Sequence, residues 1–346
     1  MYNIIGIPKE LKNNESRVIF TPKDVEKIVK MGFSVIIQKD AGLLSNFSNE
    51  SYVMSGASIY NNIEDIYNNA NIIFKVKEPQ EYEYQLIKEH HSVCCFYHLG
   101  GNENLKNNMI KSKACCIGFE SVKYNNEYPI LKQMSVLAGK NALNISYNYM
   151  QKNIFNKKLV IIGLGNAGQS ALYEAISFNF NNIHLMDINW NKLNNLKLIN
   201  ENLNIYEYNI ENLKKIMKNA DVVIGSIYTN LKQTDKIITD ELLDLMHNNS
   251  IFVDISIDQG GMTSQSITKT IDNPYNIYNN KSIYCVPNLP ALSGKEASEL
   301  LSEIVFRCFS NILSIVIEKK DFMINVIIND EKINNSILID NGIIKI

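Results

Sequence analysis

The chain has almost no net charge. Its 34 lysines and arginines stand against 36 aspartates and glutamates, a formal −2 at neutral pH. That balance points to no polyanionic partner such as a nucleic acid. Nor is there a run of roughly 20 apolar residues, so the sequence offers no membrane-spanning helix. The opening residues, MYNIIGIPKE, lack a basic segment followed by a long apolar one. The expectation is a cytoplasmic chain with no signal peptide. There is no Cys-x-x-Cys among the six cysteines, so no zinc or other metal site is expected. Cys94 and Cys95, and Cys115 and Cys116, are adjacent pairs inside apolar runs, where neighbours on a strand point to opposite faces. With Cys285 and Cys308 they read as reduced core thiols. No short-period repeat appears, which excludes a solenoid.

The 346 residues, 45% of them hydrophobic and 20% charged, suffice for two folded domains. Strand-like apolar runs alternate with amphipathic stretches. NIIGI, TPKDVEKIVKMG and FSVIIQ open one series, and NIIFKVKEP, SVCCFYH and ACCIGFE continue it. A second series follows the helical LAGKNALNISYNYMQKN, running through KLVIIGLGNAGQSALYEAISF, NNIHLMDIN, NADVVIGSI and SIFVDISI to SIYCVPNLP. A helix over GKEASELLSEIVFRCFSNILSIVIEKK then returns the chain to the first domain, and short strands and turns (INVIIND, SILIDNGIIKI) close it. This βαβ rhythm predicts an α/β protein of two Rossmann-like, doubly wound parallel-sheet domains, the first discontinuous. The expected boundaries are 1–134 plus 292–346 for a substrate domain and 135–291 for a nucleotide domain.

KLVIIGLGNAG carries the clearest motif. A buried strand runs into Gly163-x-Gly165-x-x-Gly168 and straight on into a helix. Gly163 permits a tight turn, Gly165 lets backbone approach a pyrophosphate, and Gly168 lets helix and strand pack closely. Asn166 and Ala167 begin the helix, whose first amides and positive dipole end suit phosphates. The next strand ends in Asp187, nineteen residues past Gly168 (187 − 168), where an acid suits the ribose hydroxyls of NAD and repels a 2′-phosphate.

The first domain delivers polar groups to the ends of apolar runs: Arg17 before VIF, Lys75 and Lys77 in IIFKVKEP, His98 in CCFYHLGG before Gly100 and Gly101, and Ser135 at a helix start in QMSVLAGK. Period-two alternation puts Lys75 and Lys77 on one face. Taken singly, Arg17 reads as a surface arginine, His98 as a core histidine, and the lysines as solvated strand ends. Taken together, several βα units each finish in a basic or titratable group, and such ends converge in a doubly wound sheet. An arginine fork can clamp a carboxylate, a lysine can hold a carbonyl oxygen, and a histidine can move protons. In FVDISIDQGGM a strand is expected to end at Asp258; alone, this aspartate reads as a turn cap.

GIPKELKNNESRVIFTP, KVKEP, FYHLGG, MSVLAGK, GLGNAG and VDISIDQGG resemble, in order and spacing, the alanine dehydrogenases, whose fold is shared by the α subunit of proton-translocating transhydrogenases. The resemblance covers about residues 1–290 and weakens toward the C-terminus. It implies NAD as cofactor, reversible oxidative deamination of L-alanine to pyruvate and ammonia, and a homo-oligomer, hexamer or dimer. By motif position it implies that Arg17 binds the substrate carboxylate and Lys77 the carboxylate and carbonyl side of pyruvate. His98 would be the acid/base, Asp258 would order water or ammonia, Ser135 would touch the cofactor, and Asn288 would lie near nicotinamide. Two departures from the family stand out. The glycine-rich insertion before the dinucleotide strand is absent, and NLPALSGKEAS replaces a segment with an arginine–threonine pair. These leave room for an N-(carboxyethyl)amino acid synthase, condensing pyruvate with an amino acid. A nucleotide-binding protein without turnover is the third reading.

Overall fold

The computed structural model describes residues 4–99, 102–124, 127–227, 234–309, 312–313, 337–340 and 343–344. Gly100 and Gly101, and the strand-like INVIIND, lie outside the described residues. The chain divides into two compact units, Met1–Met134 with Ser293–Ile346, and Ser135–Leu292.

The first unit alternates β1 (Ile4–Ile7), α1 (Pro22–Lys30), β2 (Ser34–Gln38), α2 (Asn49–Met54), β3 (Ser58–Tyr60) and α3 (Ile63–Asn69). It continues with β4 (Ile72–Lys77), α4 (Glu81–Tyr84), β5 (Ser92–Phe96), α5 (Glu103–Ser112) and β6 (Cys115–Gly118). With β14 (Ile337–Asp340) and β15 (Ile343–Ile344) from near the end of the chain, the sheet order is β15-β14-β6-β5-β4-β1-β2-β3. Strands β1 to β6 are parallel, and β14 and β15 extend the β6 edge in antiparallel pairing. Both faces are covered, as a parallel sheet demands. Ile72, Phe74 and Val76 of β4 pack with Val18, Phe20, Phe119 and Phe309 on one face, while Ile73 packs with Ile66, Tyr67, Val93 and Tyr97 on the other. Helix α11 (Gly294–Arg307) closes the first face. Leu301, Val305 and Cys308 recur at helical spacing and are buried. The ring of Phe309, just beyond, meets those of Phe20, Phe33 and Phe74.

Helix α6 (Pro129–Tyr149) leads into the second unit. There β7 (Lys158–Ile162), α7 (Asn166–Ser177), β8 (Asn182–Asp187), α8 (Trp190–Ile199), β9 (Asn204–Glu207), α9 (Ile210–Met217), β10 (Val222–Gly225), α10 (Asp240–Asp244), β11 (Ile251–Asp254), β12 (Tyr275–Tyr278) and β13 (Lys281–Tyr284) form a sheet of order β12-β13-β11-β10-β7-β8-β9. Only its edge strand β12 is antiparallel. Both sheets therefore carry their six parallel strands in the same order, third-second-first-fourth-fifth-sixth, which reverses between the first and fourth strands. Ligands of open α/β sheets gather at the carboxyl ends beside that reversal.

Three local expectations need correcting. Ser135 is not at a helix start, because α6 begins at Pro129, a residue whose fixed φ suits the first helical turn. The strand before Asp258 ends earlier, at Asp254, whose carboxylate accepts a hydrogen bond from the Ser256 amide at 3.0 Å and turns the chain into a 3-10 helix, Ile255–Gln259. Lys75 and Lys77 do not share a face. In β4 the chain advances from Phe74 to Lys77 while β5 advances only from Cys94 to Phe96, so β4 holds one extra residue and its alternation breaks. Strand β9 escaped the sequence reading because its residues are half-buried or exposed and leave little apolar pattern.

Candidate active site

At the carboxyl edge of the first unit's sheet, the loop after β1 brings Arg17 in. The residue is 3% exposed. Nε and Nη2 donate to the two carboxylate oxygens of Glu15 at 2.7 and 2.6 Å, and Nη1 reaches the Met134 Sδ at 3.3 Å. Glu15 thus aims the guanidinium through a two-pronged, charge-assisted contact.

Strand β4 delivers both lysines, to different places. Lys75 is fully buried; its Nζ lies 2.8 Å from Glu83 Oε1 and 3.4 Å from Glu10 Oε2. Burial opposes its charge, but Glu10 and Glu83 outweigh it and hold its pKa above the ordinary lysine value. Glu10 is pushed up to about 7, chiefly by burial, against the pull of Lys75. Lys77, in register with Phe96, lies toward the end of β5 and is 6% exposed.

His98 follows β5 in the left-handed region, with φ +50°. For a side-chain-bearing residue that conformation costs on the order of 1–3 kcal/mol and persists only where the surroundings enforce it. Glu120, just after β6, does so: its carboxylate accepts from the His98 amide at 2.9 Å and from the Tyr97 amide at 3.1 Å. The His98 ring lies parallel to that of Phe96, centroids 6.0 Å apart. Desolvation, followed by the charges of Lys77, Lys12 and Arg17, pushes the His98 pKa down to about 3. The residue also presents surface to water, which weakens the desolvation. The nearby cations disfavour the imidazolium, so the ring is neutral at neutral pH. Three cations, Lys77, Lys12 and Arg17, thus act on the histidine in the same direction.

In the second unit the glycine turn has the form its sequence demands. Gly163 takes φ +88°, and a Cβ on Gly168 would stand 1.9 Å from the Gly163 carbonyl oxygen. A Cβ on Gly165 would meet nothing within 4 Å, so backbone there is open to an approaching group. Asn166 and Ala167 form the first turn of α7, where amides lack helical partners. Asp187 accepts from the Leu164 amide at 2.6 Å and the Asn189 amide at 2.8 Å, with Lys192 Nζ at 3.6 Å. Its carboxylate is thereby pinned at the end of β8 beside the turn. The Ser226 hydroxyl, after β10, donates to the Gly163 carbonyl at 2.7 Å. A Cβ on Gly139 would lie 1.9 Å from the Ala167 carbonyl oxygen, so α6 runs against the turn's helix. Ser135 is one helical turn before Gly139 on that same face. These features fit a dinucleotide's pyrophosphate and ribose.

Asp258 and Asn288 also meet in this unit. The Asn288 amide donates to the exposed Asp258 carboxylate at 3.3 Å, and Asn288 itself takes φ +62°. Among the described residues, no cluster of three or more histidine, cysteine or acidic side chains could hold a metal, and no helix is long and apolar enough to cross a membrane. Sequence reasoning missed Glu10, Glu15, Glu120 and Gly139. Glu120 had a visible signal, an acid closing the apolar run ACCIGFE, but Glu10 and Glu15 sit in a polar loop where nothing sets them apart.

Comparison with known proteins agrees. A family model described as the alanine dehydrogenase/PNT N-terminal domain matches residues 6–138, and one for the corresponding C-terminal domain matches residues 151–346. An alanine dehydrogenase of Staphylococcus saprophyticus is 32% identical over 304 residues, 83% of this chain and 81% of the relative. One of Methanococcus maripaludis is 31% identical over 318 residues, 86% and 84%. Among solved structures, an L-alanine dehydrogenase superposes with TM-score 0.89 at 23% identity, covering 99% of this chain and 96% of that one. A transhydrogenase from Sinorhizobium meliloti gives 0.84 at 19%, covering 99% of each. At such identities the two structures speak for the fold.

Proposed function

The chain belongs to the alanine dehydrogenase/PNT family, and on that premise we propose that it is an NAD-dependent L-amino-acid dehydrogenase converting L-alanine and water to pyruvate and ammonium, reversibly. The observation that supports this reading is that Lys77 and Arg17, with Lys12, add to burial in holding His98 neutral. Two fixed cations suit the carboxylate and carbonyl oxygen of an α-keto acid. When such an anion arrives it offsets their charge, so the His98 pKa rises in the complex. The ring becomes a better base at the moment the substrate ammonium must lose a proton, and the matching acid in reverse. Glu15 and Glu120 keep Arg17 and His98 in place, which lowers the entropic cost of assembling the reacting geometry. By its motif position in the family, Asp258 would be the group that orders the reacting water, or in reverse the ammonia. The glycine turn and Asp187 would hold NAD, whose nicotinamide supplies the hydride acceptor.

The test is NADH absorbance with pyruvate plus ammonium, then with pyruvate plus a panel of amino acids. Ammonium-dependent oxidation supports the proposal. Oxidation only with an amino acid makes the chain an N-(carboxyethyl)amino acid synthase. Tight NADH binding with no oxidation makes it a nucleotide-binding protein without turnover.

A further inference from the structure

We propose that Glu10 and Lys75 are positioning residues for Lys77: together they fix the extra residue in β4 that turns Lys77 away from Lys75 and toward His98. The assignment rests on the reading of the first unit as the keto-acid side of a dehydrogenase.

The need for such a device is visible in the ladder. β1 and β4 pair only through Ile5–Ile72 and Gly6–Ile73, and β4 and β5 lose register between Phe74 and Lys77. The amides at the end of β4 therefore need acceptors outside a regular ladder. Glu10, in the loop after β1, supplies both: Oε1 accepts from the Val76 amide at 2.6 Å and Oε2 faces the Lys77 amide at 3.4 Å. One carboxylate thus spans the two residues that make the irregularity. A buried carboxylate needs a cation, and Lys75 provides it. Lys75 is in turn braced by Glu83, whose oxygens accept from the Tyr67 hydroxyl and the Gln80 amide, each at 2.8 Å. The chain Tyr67–Glu83–Lys75–Glu10 ends on the backbone of Lys77. Lys75 is too deeply buried to meet a substrate itself. The two lysines of KVK therefore divide the work: the first sets the shape, and the second meets the ligand.

The experiment compares Glu10→Gln, Glu10→Asp and Tyr67→Phe with the wild type. The primary readout needs no turnover: the His98 pKa by NMR titration. With Lys77 misaimed, it rises in Glu10→Gln. Removing Glu10's negative charge acts directly in the opposite sense, so the sign is diagnostic. The KM for pyruvate should rise about 10- to 100-fold, the scale of an ångström-sized misplacement, with the KM for NADH unchanged. Tyr67→Phe, at the far end of the chain, should lower Tm and leave the His98 pKa and pyruvate KM alone. Should Glu10→Gln not fold, Glu10→Asp keeps the charge with a shorter reach and should show the same rise in pKa. A His98 pKa that stays put or falls, in whichever of the two variants folds, overturns the proposal. So does a Glu10 variant that changes Tm alone, as Tyr67→Phe does. A wild type inactive with pyruvate and ammonium would instead defeat the functional reading, and the NMR result still decides this one.

Discussion

The two sheets have the same strand order yet present opposite kinds of surface at their carboxyl ends. The first unit offers side chains: Arg17, Lys77 and His98, each braced by a carboxylate or a strand irregularity. The second offers backbone: a turn in which glycine is required at Gly163 and Gly168 and open at Gly165. One topology thus presents either a cluster of charged side chains or a bare backbone turn. What chooses between them is whether residues just beyond the strands carry charge or carry nothing.

The largest effects should come from the charged cluster. Lys77→Ala or His98→Ala should lower kcat by about 100- to 10,000-fold, the usual worth of acid–base and electrostatic groups, with the melting curve unchanged. Near-normal turnover in both would remove them from the mechanism. Next come the glycines. In Gly168→Ala the new methyl overlaps the Gly163 carbonyl, so the turn must move; NADH binding should be lost and stability should drop by about 1–3 kcal/mol. Gly165→Ala has room in the protein and should fold normally, with weakened NADH binding as its only defect. If calorimetry finds the two alike, the turn is misread. A smaller effect is expected at Asp187: Asp187→Ser should narrow the preference for NADH over NADPH, read as the ratio of their KM values.

The smallest effect is in pH. Desolvation and then the cations depress the His98 pKa, so Lys77→Met should raise it part of the way toward the ordinary 6.5, measurable by NMR. A histidine whose folded pKa lies below its unfolded one supports folding fully above about 6.5. That support is lost as pH falls from there toward the folded value near 3. A steeper acid instability in wild type than in Lys77→Met is the expected pattern.

How much of this could be read from residues alone differs between the two sheets for a physical reason. A glycine turn encodes its backbone demands in residue type, so Gly163, Gly165, Gly168 and the acid at Asp187 stand out in order. The charged cluster was half legible. Charged or titratable residues flanking apolar runs marked Arg17, Lys77 and His98, but the alternation rule runs through KVK without a sign that β4 carries an extra residue. The alternating FVDISID likewise reads as one strand, although Asp254 ends it by bonding to Ser256. The acids that brace the site, Glu10, Glu15 and Glu120, depend on contacts between separate loops, which no local pattern records.

The claim that one sheet handles the anion and the other the dinucleotide is tested most directly by titrating NADH into the Lys77→Ala protein. The account predicts wild-type NADH affinity in a protein whose turnover of pyruvate and ammonium has collapsed. Loss of NADH affinity together with turnover would contradict it.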